Sequence, residues 1–437
     1  MVKEVGWQVD EKAGILYRSL TERLPVVAKA KGVFIYDTEG KRYLDGSSGA
    51  LVVNIGHGNS RVIDAMIQQA GKVTFAHTSQ FTSVPAESLA LKLAQYAPPG
   101  LNRVFFTSGG SEAVESAFKA AFQYHYERGK SKKRKIVSVC PSYHGATLGA
   151  LSATCREDMR KPYDGVLLEF PKINAPLSEN DPNNAWELEE VIRKEGEENI
   201  AAFIIESVGG TSTGALTASP AYFETIRKIC DQNDVLLIVD EVMAGAGRTG
   251  EFFAINHYGI IPDIIAASKG IGSGYAPLGC IIVNEKIFQT FKKGSGKFYN
   301  GFTYQGNPMA CAAGLAVLKV LEAENLIQNV KEMGRYLKQK MEGLSKSRDM
   351  IKGVGGLGLM LTLELKKTDI TRGISLGGLL IETAFKNGLI LFGGLLSGDR
   401  DFVMIAPPLI IKKNEADLLI DILKKSLDEM IEKLCVQ

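Results

Sequence analysis

The sequence predicts an α/β protein: a mostly parallel sheet covered by helices on both faces, followed by a smaller α+β unit. Two patterns predict it. From about residue 100, short and almost continuously apolar segments alternate with stretches of helical periodicity, as strands buried on both faces require. After Asn307 that alternation gives way to a long helical stretch and then to isolated strands. At 437 residues the chain has room for two or three domains and needs no disulfide or metal to hold its core.

Taken in order, residues 33–45 (VFIYDTEGKRYLD) read as a hairpin, two apolar runs around Thr38-Glu39-Gly40-Lys41. Ser60 stands where a helix cap belongs, ahead of Val62, Ile63, Met66, Ile67 and Ala70 at helical spacing. Strands are expected at 103–107, 135–140, 200–205, 235–239, 263–267 and 278–283. Helices are expected at 111–128, ended by Gly129, and at 219–233, opened by Ser219-Pro220. Beyond 307 the helical stretch runs to about 345, with strands at 357–365 and 402–406. A helix near 376–386 and an amphipathic helix from Asn414 complete the chain. The expected division is 1–59 as the N-terminal part of a small domain, 60–325 as the large domain and 326–437 as the rest of the small domain.

Lys plus Arg number 51 and Asp plus Glu 49, so the net charge of +2 offers no reason to expect nucleic acid or a membrane surface as partner. The six cysteines, Cys140, Cys155, Cys230, Cys280, Cys311 and Cys435, contain no C-x-x-C pair. Zinc and other metal sites are therefore not expected, nor is a disulfide framework. Residues Met1 to Asp10 carry Lys3, Glu4 and Asp10 where a signal peptide would be apolar. No apolar run reaches 18 residues; 353–363 and 387–398 are too short to span a bilayer. These features point to the cytoplasm.

Three motifs lead elsewhere when read alone. Gly245-Ala-Gly247-Arg-Thr-Gly250 is a literal G-x-G-x-x-G, but Asp240 and Glu241 precede it where they would repel a pyrophosphate, and Pro262 follows soon after. A nicotinamide dehydrogenase is therefore the weaker reading. Gly210-Thr-Ser212-Thr-Gly214 matches a serine-hydrolase elbow, yet His257 is the only histidine downstream, and an open loop suits the composition better. Lys130, Lys132, Lys133, Arg134 and Lys135 lie between a helix end and a buried strand, where a solvated turn accounts for them.

The chemistry lies in three other features. Thr107-Ser-Gly-Gly110-Ser111-Glu112 turns from a strand into a helix, so backbone N–H groups and a hydroxyl could cradle a phosphate, although Ser111 could equally just cap the helix. Asp240 ends the apolar strand VLLIV, at the strand end where such sheets bind ligands. Lys269 follows strand 263–267 and precedes a glycine run, a setting in which an amine can lose its proton and form a Schiff base. A phosphate cradle, a carboxylate for a ring nitrogen and such a lysine are the parts that pyridoxal 5′-phosphate requires.

With these residues, the chain resembles the class III aminotransferases, the fold type I group containing ω-amino-acid and amine:pyruvate transaminases. The matching stretches are SGGSEAVESAFKAA (108–121), PSYHGATLGAL (141–151), DEVMAGAGRTG (240–250), SKGIGSGYAPLG (268–279), FTYQGNP (302–308) and APPLII (406–411). The resemblance implies a mixed, mostly parallel seven-stranded sheet in the large domain and a small domain built from both chain ends. It implies that Lys269 carries the cofactor and that Asp240 pairs with the pyridine nitrogen. Gly110 and Ser111 would bind the phosphate, Tyr143 and Val242 the two ring faces, and Glu206 would stand beside the cofactor. Thr303 would reach the phosphate of a neighbouring subunit, implying a homodimer with shared active sites, or a tetramer built from it.

The activity so implied is amino transfer from an amine or ω-amino acid to a keto acid, pyruvate or 2-oxoglutarate, in two half-reactions. The alternative within the fold is an amino-acid racemase or epimerase, which would need no keto acid. One departure concerns the substrate: where many relatives place an arginine three residues before the double proline, this chain has Met404. Arg400 lies close by and could serve the keto-acid carboxylate, or could be a surface turn residue.

Overall fold

The computed structural model describes residues 14–20, 24–176, 182–366, 375–393 and 400–436. The segment Met1–Asp10, read above as lacking an apolar leader, lies outside them, as do residues 394–398 of the apolar stretch ending at Gly398.

The chain opens with β1 (Val27–Lys31), β2 (Phe34–Asp37) and β3 (Arg42–Asp45), where the sequence suggested a single hairpin. The large sheet follows: β4 (Leu101–Thr107), β5 (Lys135–Cys140), β6 (Lys172–Asn174), β7 (Ile200–Glu206), β8 (Leu236–Asp240), β9 (Ile264–Ala267) and β10 (Gly279–Asn284). Its seven strands are ordered β4-β10-β9-β8-β7-β5-β6. The strands from β9 to β6 pair in parallel, and β10 runs antiparallel to both of its neighbours. Every parallel strand therefore ends on one edge, and β4, being antiparallel to β10, ends there too.

Side chains alternate between the two faces of the sheet, and each face has its own core. Ile200, Phe203 and Ile205 of β7, with Leu237 and Val239 of β8, pack against helices Val84–Tyr96, Pro220–Gln232 and Pro308–Ala323. Ile204, Leu236, Ile238 and Ile264 face the other way, onto helix Gly110–Glu127 through Ala113, Val114, Ala117, Phe118 and Ala121. Burial on both sides is why these strands read as unbroken apolar runs.

Helix starts follow their caps. The Ser219 hydroxyl accepts from Tyr222 N at 3.1 Å ahead of Pro220, and Asn307 Oδ1 accepts from Ala310 N at 3.0 Å ahead of Pro308. Asn59 rather than Ser60 caps helix Ser60–Ala70, accepting from Arg61 N at 3.1 Å. The long stretch after 307 is two helices, Pro308–Ala323 and Leu326–Lys346, divided where Asn325 turns left-handed at φ +48°.

The last third adds β11 (Ile351–Leu357) and β12 (Met360–Leu365), a tight hairpin where one strand was expected. Helix Leu376–Lys386 then leads to β13 (Leu389–Ile390), β14 (Phe392–Gly393) and β15 (Asp401–Ile405), and helix Lys413–Val436 closes the chain. One four-stranded sheet, β11-β12-β15-β14, is wholly C-terminal, whereas β13 pairs in parallel with β3 and so joins the two chain ends.

Arg248 ties these ends to the large sheet. It is wholly buried and donates to Pro407 O at 2.5 Å, Asn54 Oδ1 at 2.7 Å, Ser48 Oγ at 3.1 Å and Leu359 O at 3.2 Å. Burial lowers its guanidinium to about 9.

Two expectations are corrected here. Cys140 and Cys155 form a disulfide, because the chain returns after 15 residues to pair Cys155 with Ser142 beside the end of β5. Lys133 is no solvated turn residue: buried, it donates to Glu197 O, Ile200 O and Asn233 O at 2.9–3.1 Å. Residues 241–250 and 210–214 form successive turns, with neither the helix a dinucleotide motif needs nor a strand-to-helix elbow. Glu241 explains the first of these, since its carboxylate accepts from Ala254 N at 2.9 Å and Ile255 N at 2.7 Å and pins the loop between them. Among the described residues, no helix is long and apolar enough to cross a membrane, and no group of three or more His, Cys, Asp or Glu side chains is placed to hold a metal.

Candidate active site

Five elements deliver residues to the common edge of the large sheet. Glu206 and Asp240 end adjacent strands and are partners in the β7–β8 register. Lys269 lies two residues beyond β9 at φ +45°, a left-handed turn that directs it away from the strand line. From the end of β4, Gly109 leads into the 18-residue helix Gly110–Glu127. Tyr143 and His144 follow the end of β5.

Asp240 is buried and anchored on both oxygens. Oδ1 accepts from Val242 N at 2.9 Å, and Oδ2 lies 2.9 Å from His144 Nδ1. A carboxylate can only accept, so Nδ1 carries the proton in this pair. The other ring nitrogen, His144 Nε2, is buried without a partner. The sequence reading did not single out His144; its position directly after Tyr143 in PSYHG was the available signal.

Glu206 Oε1 accepts from Gly210 N at 2.8 Å, and loss of water at this buried edge pushes its carboxyl up to about 7, with the Asp240 charge adding to the rise. Burial lowers the Lys269 amine to about 8, against the opposing pull of Asp240 and Glu206. A fraction of the lysine is therefore neutral, and nucleophilic, near neutral pH.

The helix N-terminus is shaped as a cradle. A Cβ on Gly110 would come within 2.8 Å of Val242 Cγ1, and one on Gly145 within 2.7 Å of Ser111 Oγ. Both positions therefore keep backbone open beside the first N–H groups of the helix, which have no intrahelical partner. Ser111 Oγ also accepts from Ala146 N at 3.0 Å, so the hydroxyl links this helix to the loop after β5.

A cavity of about 730 Å³ opens over this edge, lined by Lys269 and Tyr143 and walled by Leu148, Leu151, Met159, Met243 and Phe392. The two residues expected near the substrate lie elsewhere, and Thr303, expected to reach a neighbouring subunit, is likewise not part of the cavity lining. Met404 is fully buried in β15 within an apolar cluster that includes Leu51, Met360 and Phe402. Arg400 is held by Glu364 through Nε at 3.1 Å and Nη2 at 3.2 Å, and by Thr213 O through Nη1 at 2.6 Å. It is neither a free surface residue nor a group in this cavity. Thr303 sits on an exposed turn, where the neighbouring Tyr304 ring meets Phe75 edge-on at 6.0 Å.

Lysine, aspartate and helix N-terminus thus converge at one edge of the sheet, and comparison with known proteins identifies the class as aminotransferase. The chain belongs to the class III aminotransferases: the profile of that family, described as Aminotransferase class-III, matches residues 17–427. It is 39% identical over 424 residues to an uncharacterized aminotransferase, YodT, of Bacillus subtilis, covering 93% of this chain and 96% of that one. It is 34% identical to the putrescine–pyruvate aminotransferase of Pseudomonas aeruginosa, with 94% and 92% of the two chains covered. The crystal structure of a transaminase from the marine bacterium Virgibacillus superposes with a TM-score of 0.92 at 32% identity, covering 97% of this chain and 98% of that one. The protein is thus an enzyme that transfers amino groups to keto acids.

The family's enzymes use pyridoxal 5′-phosphate, and the residues present fit that group. The bare glycine backbone suits a phosphate, the anchored carboxylate suits a ring nitrogen, and the amine lowered to about 8 suits an aldehyde.

Proposed function

We propose that this aminotransferase works through pyridoxal 5′-phosphate at the edge just described, with donors that are amines or ω-amino acids and with pyruvate or 2-oxoglutarate as acceptor. The observation that carries this reading is that Lys269, Asp240 and the helix start at Gly110 and Ser111 meet at one sheet edge, with Lys269 opening into one cavity.

Gly110 N–H, Ser111 N–H and Ser111 Oγ would hold the phosphate. Tyr143 and Val242 would flank the ring, and Lys269 Nζ would bind its aldehyde carbon. When bound, the cofactor supplies the electron sink for the carbanion left when the amine carbon loses its proton. Asp240 holds a proton on the ring nitrogen, and His144 fixes the orientation of that carboxylate. The Lys269 amine would be the general base that moves the proton from the donor carbon. Glu206, loosely proton-bound near pH 7, stands beside this path.

Met404 is buried in β15 outside the cavity and stands where the family resemblance expects a guanidinium, so a short donor's carboxylate finds no cation at that position. Donors with an apolar or long chain should therefore outperform 4-aminobutyrate.

The unit we infer is a homodimer. Thr303 is exposed in the single chain, and Val84 and Leu91 are 80% and 68% exposed, unusual for apolar side chains on a sheet-covering helix. The small domain is read as 1–59 with 326–437 and the large domain as 60–325. The Cys140–Cys155 bond weighs against the reducing cytoplasm expected from the sequence.

Absorbance spectroscopy tests the reading. The protein reconstituted with pyridoxal 5′-phosphate should absorb in the visible, lose that band on adding amine and regain it on adding keto acid. Lys269→Ala should abolish turnover while still binding the cofactor. Wild-type turnover in that variant would refute the role of the lysine, and inversion of a chiral amino acid without any keto acid would mark a racemase.

A further inference from the structure

The acceptor brings a carboxylate into the cavity, and the structure assigns that carboxylate to Arg156. Among the described residues, the cationic side chains lining the cavity are Arg18, Arg156 and Lys269. Lys269 is committed to the cofactor. Arg18 is exposed. The Arg156 side chain is only 10% exposed, and its main chain is fixed relative to the site by its neighbour Cys155. That residue is bonded to Cys140 and paired with Ser142, one residue before Tyr143. Arg160 braces the same loop by donating to Leu151 O, Ser152 O and Thr154 O at 2.8–2.9 Å.

The guanidinium is already shaped around a carboxylate. Arg156 Nε reaches Asp158 Oδ1 at 3.1 Å and Nη2 reaches Asp158 Oδ2 at 2.5 Å, a two-bond fork. Asp158 is the disposable member of the pair, because its side chain is 59% exposed and returns to water at little desolvation cost. Exchange of Asp158 for the keto-acid carboxylate keeps the charge balance and the fork geometry. With the pair closed, the cavity presents no net charge beside Leu148, Leu151 and Met159, which suits the chain of a carboxylate-free amine. One cavity can thus take an apolar donor and an anionic acceptor in turn. Arg400, spent on Glu364 and Thr213, cannot take this role without breaking three bonds.

The inference rests on the aminotransferase reading, so the two half-reactions should be measured separately on the reconstituted enzyme by stopped-flow absorbance. The donor is 1-phenylethylamine and the acceptor pyruvate. In Arg156→Ala, the pyruvate concentration for half-maximal rate should rise at least about 30-fold, with the saturated rate and the amine half-reaction nearly unchanged. Arg156→Lys should recover only part of this, because an ammonium cannot form the fork. Asp158→Asn should leave or lower the pyruvate requirement and raise the amine requirement, because the guanidinium is then uncovered beside Leu148, Leu151 and Met159. An unaltered pyruvate requirement in Arg156→Ala would overturn the assignment. So would an Asp158→Asn variant as impaired as Arg156→Ala, since the pair would then be structural. Absence of a half-reaction with 1-phenylethylamine in the wild type would instead count against the proposed class of amine donors.

Discussion

At the residue scale, the site depends on where protons reside. Asp240→Asn keeps the volume and the bond to Val242 N but removes the charge that holds a proton on the ring nitrogen. Its amine half-reaction, followed in a single turnover, should slow by at least about a hundredfold. A near-normal rate would mean that another group holds the nitrogen. His144→Phe should give a smaller loss in the same assay, because Asp240 keeps its charge and loses only one anchor. Lys269 sets a pH dependence. Its ordinary value is 10.5 and its folded value about 8, so between these the unfolded chain retains a proton that the folded chain has lost. Burying the charged amine therefore costs the cofactor-free protein stability in full below that window, and the cost is relieved as pH rises through it. Covalent capture of pyridoxal 5′-phosphate by the cofactor-free protein should accordingly speed up with a midpoint near pH 8. A midpoint near 10.5 would show an ordinary lysine.

At the element scale, the loop after β5 carries more of the site than any other segment. Tyr143, His144, Gly145, Leu148, Leu151 and Arg156 all come from it, and the Cys140–Cys155 bond closes its base. Cross-linking residues 15 apart restricts the unfolded chain, so Cys155→Ser should lower stability by up to about 3 kcal/mol in a denaturant titration. Cofactor affinity should fall with it, since the Ala146 N–H to Ser111 bond loses its fixed base. An unchanged midpoint in the presence and absence of reductant would mean that the bond carries no stabilisation. Six of the seven strands of the large sheet were legible in the sequence because burial on both faces makes them largely apolar, whereas β6, three residues at the sheet edge, was not. The helix Val84–Tyr96 was not, since one of its sides carries the exposed Val84 and Leu91 and blurs its amphipathic pattern.

At the scale of the whole molecule, the proposed homodimer can be tested on the exposed apolar side chains of helix Val84–Tyr96. Val84→Glu places a carboxylate in the first turn of its helix, where the helix dipole favours it, so the monomer fold should survive. We expect this variant to sediment as a monomer and to lose turnover, because Thr303 would no longer reach a second site. A dimeric, fully active Val84→Glu enzyme would place the interface elsewhere. Arg248 acts at the same scale, as one buried side chain bonded to residues from positions 48 to 407.

The sequence by itself determined the class of fold and pointed to the three groups proposed to carry the chemistry, because both signals are local. An apolar run, a glycine turn into a helix and a polar residue at a strand end are each written within a few positions. What only the tertiary structure decided is which side chains stand beside those groups. His144 meets Asp240 across 96 positions, Arg400 is taken by Glu364 across 36, and Cys140 finds Cys155 through a returning loop. Arg156 enters the cavity by the same return. No local pattern encodes such pairs, since each depends on how separate strands and loops are brought to one edge of the sheet.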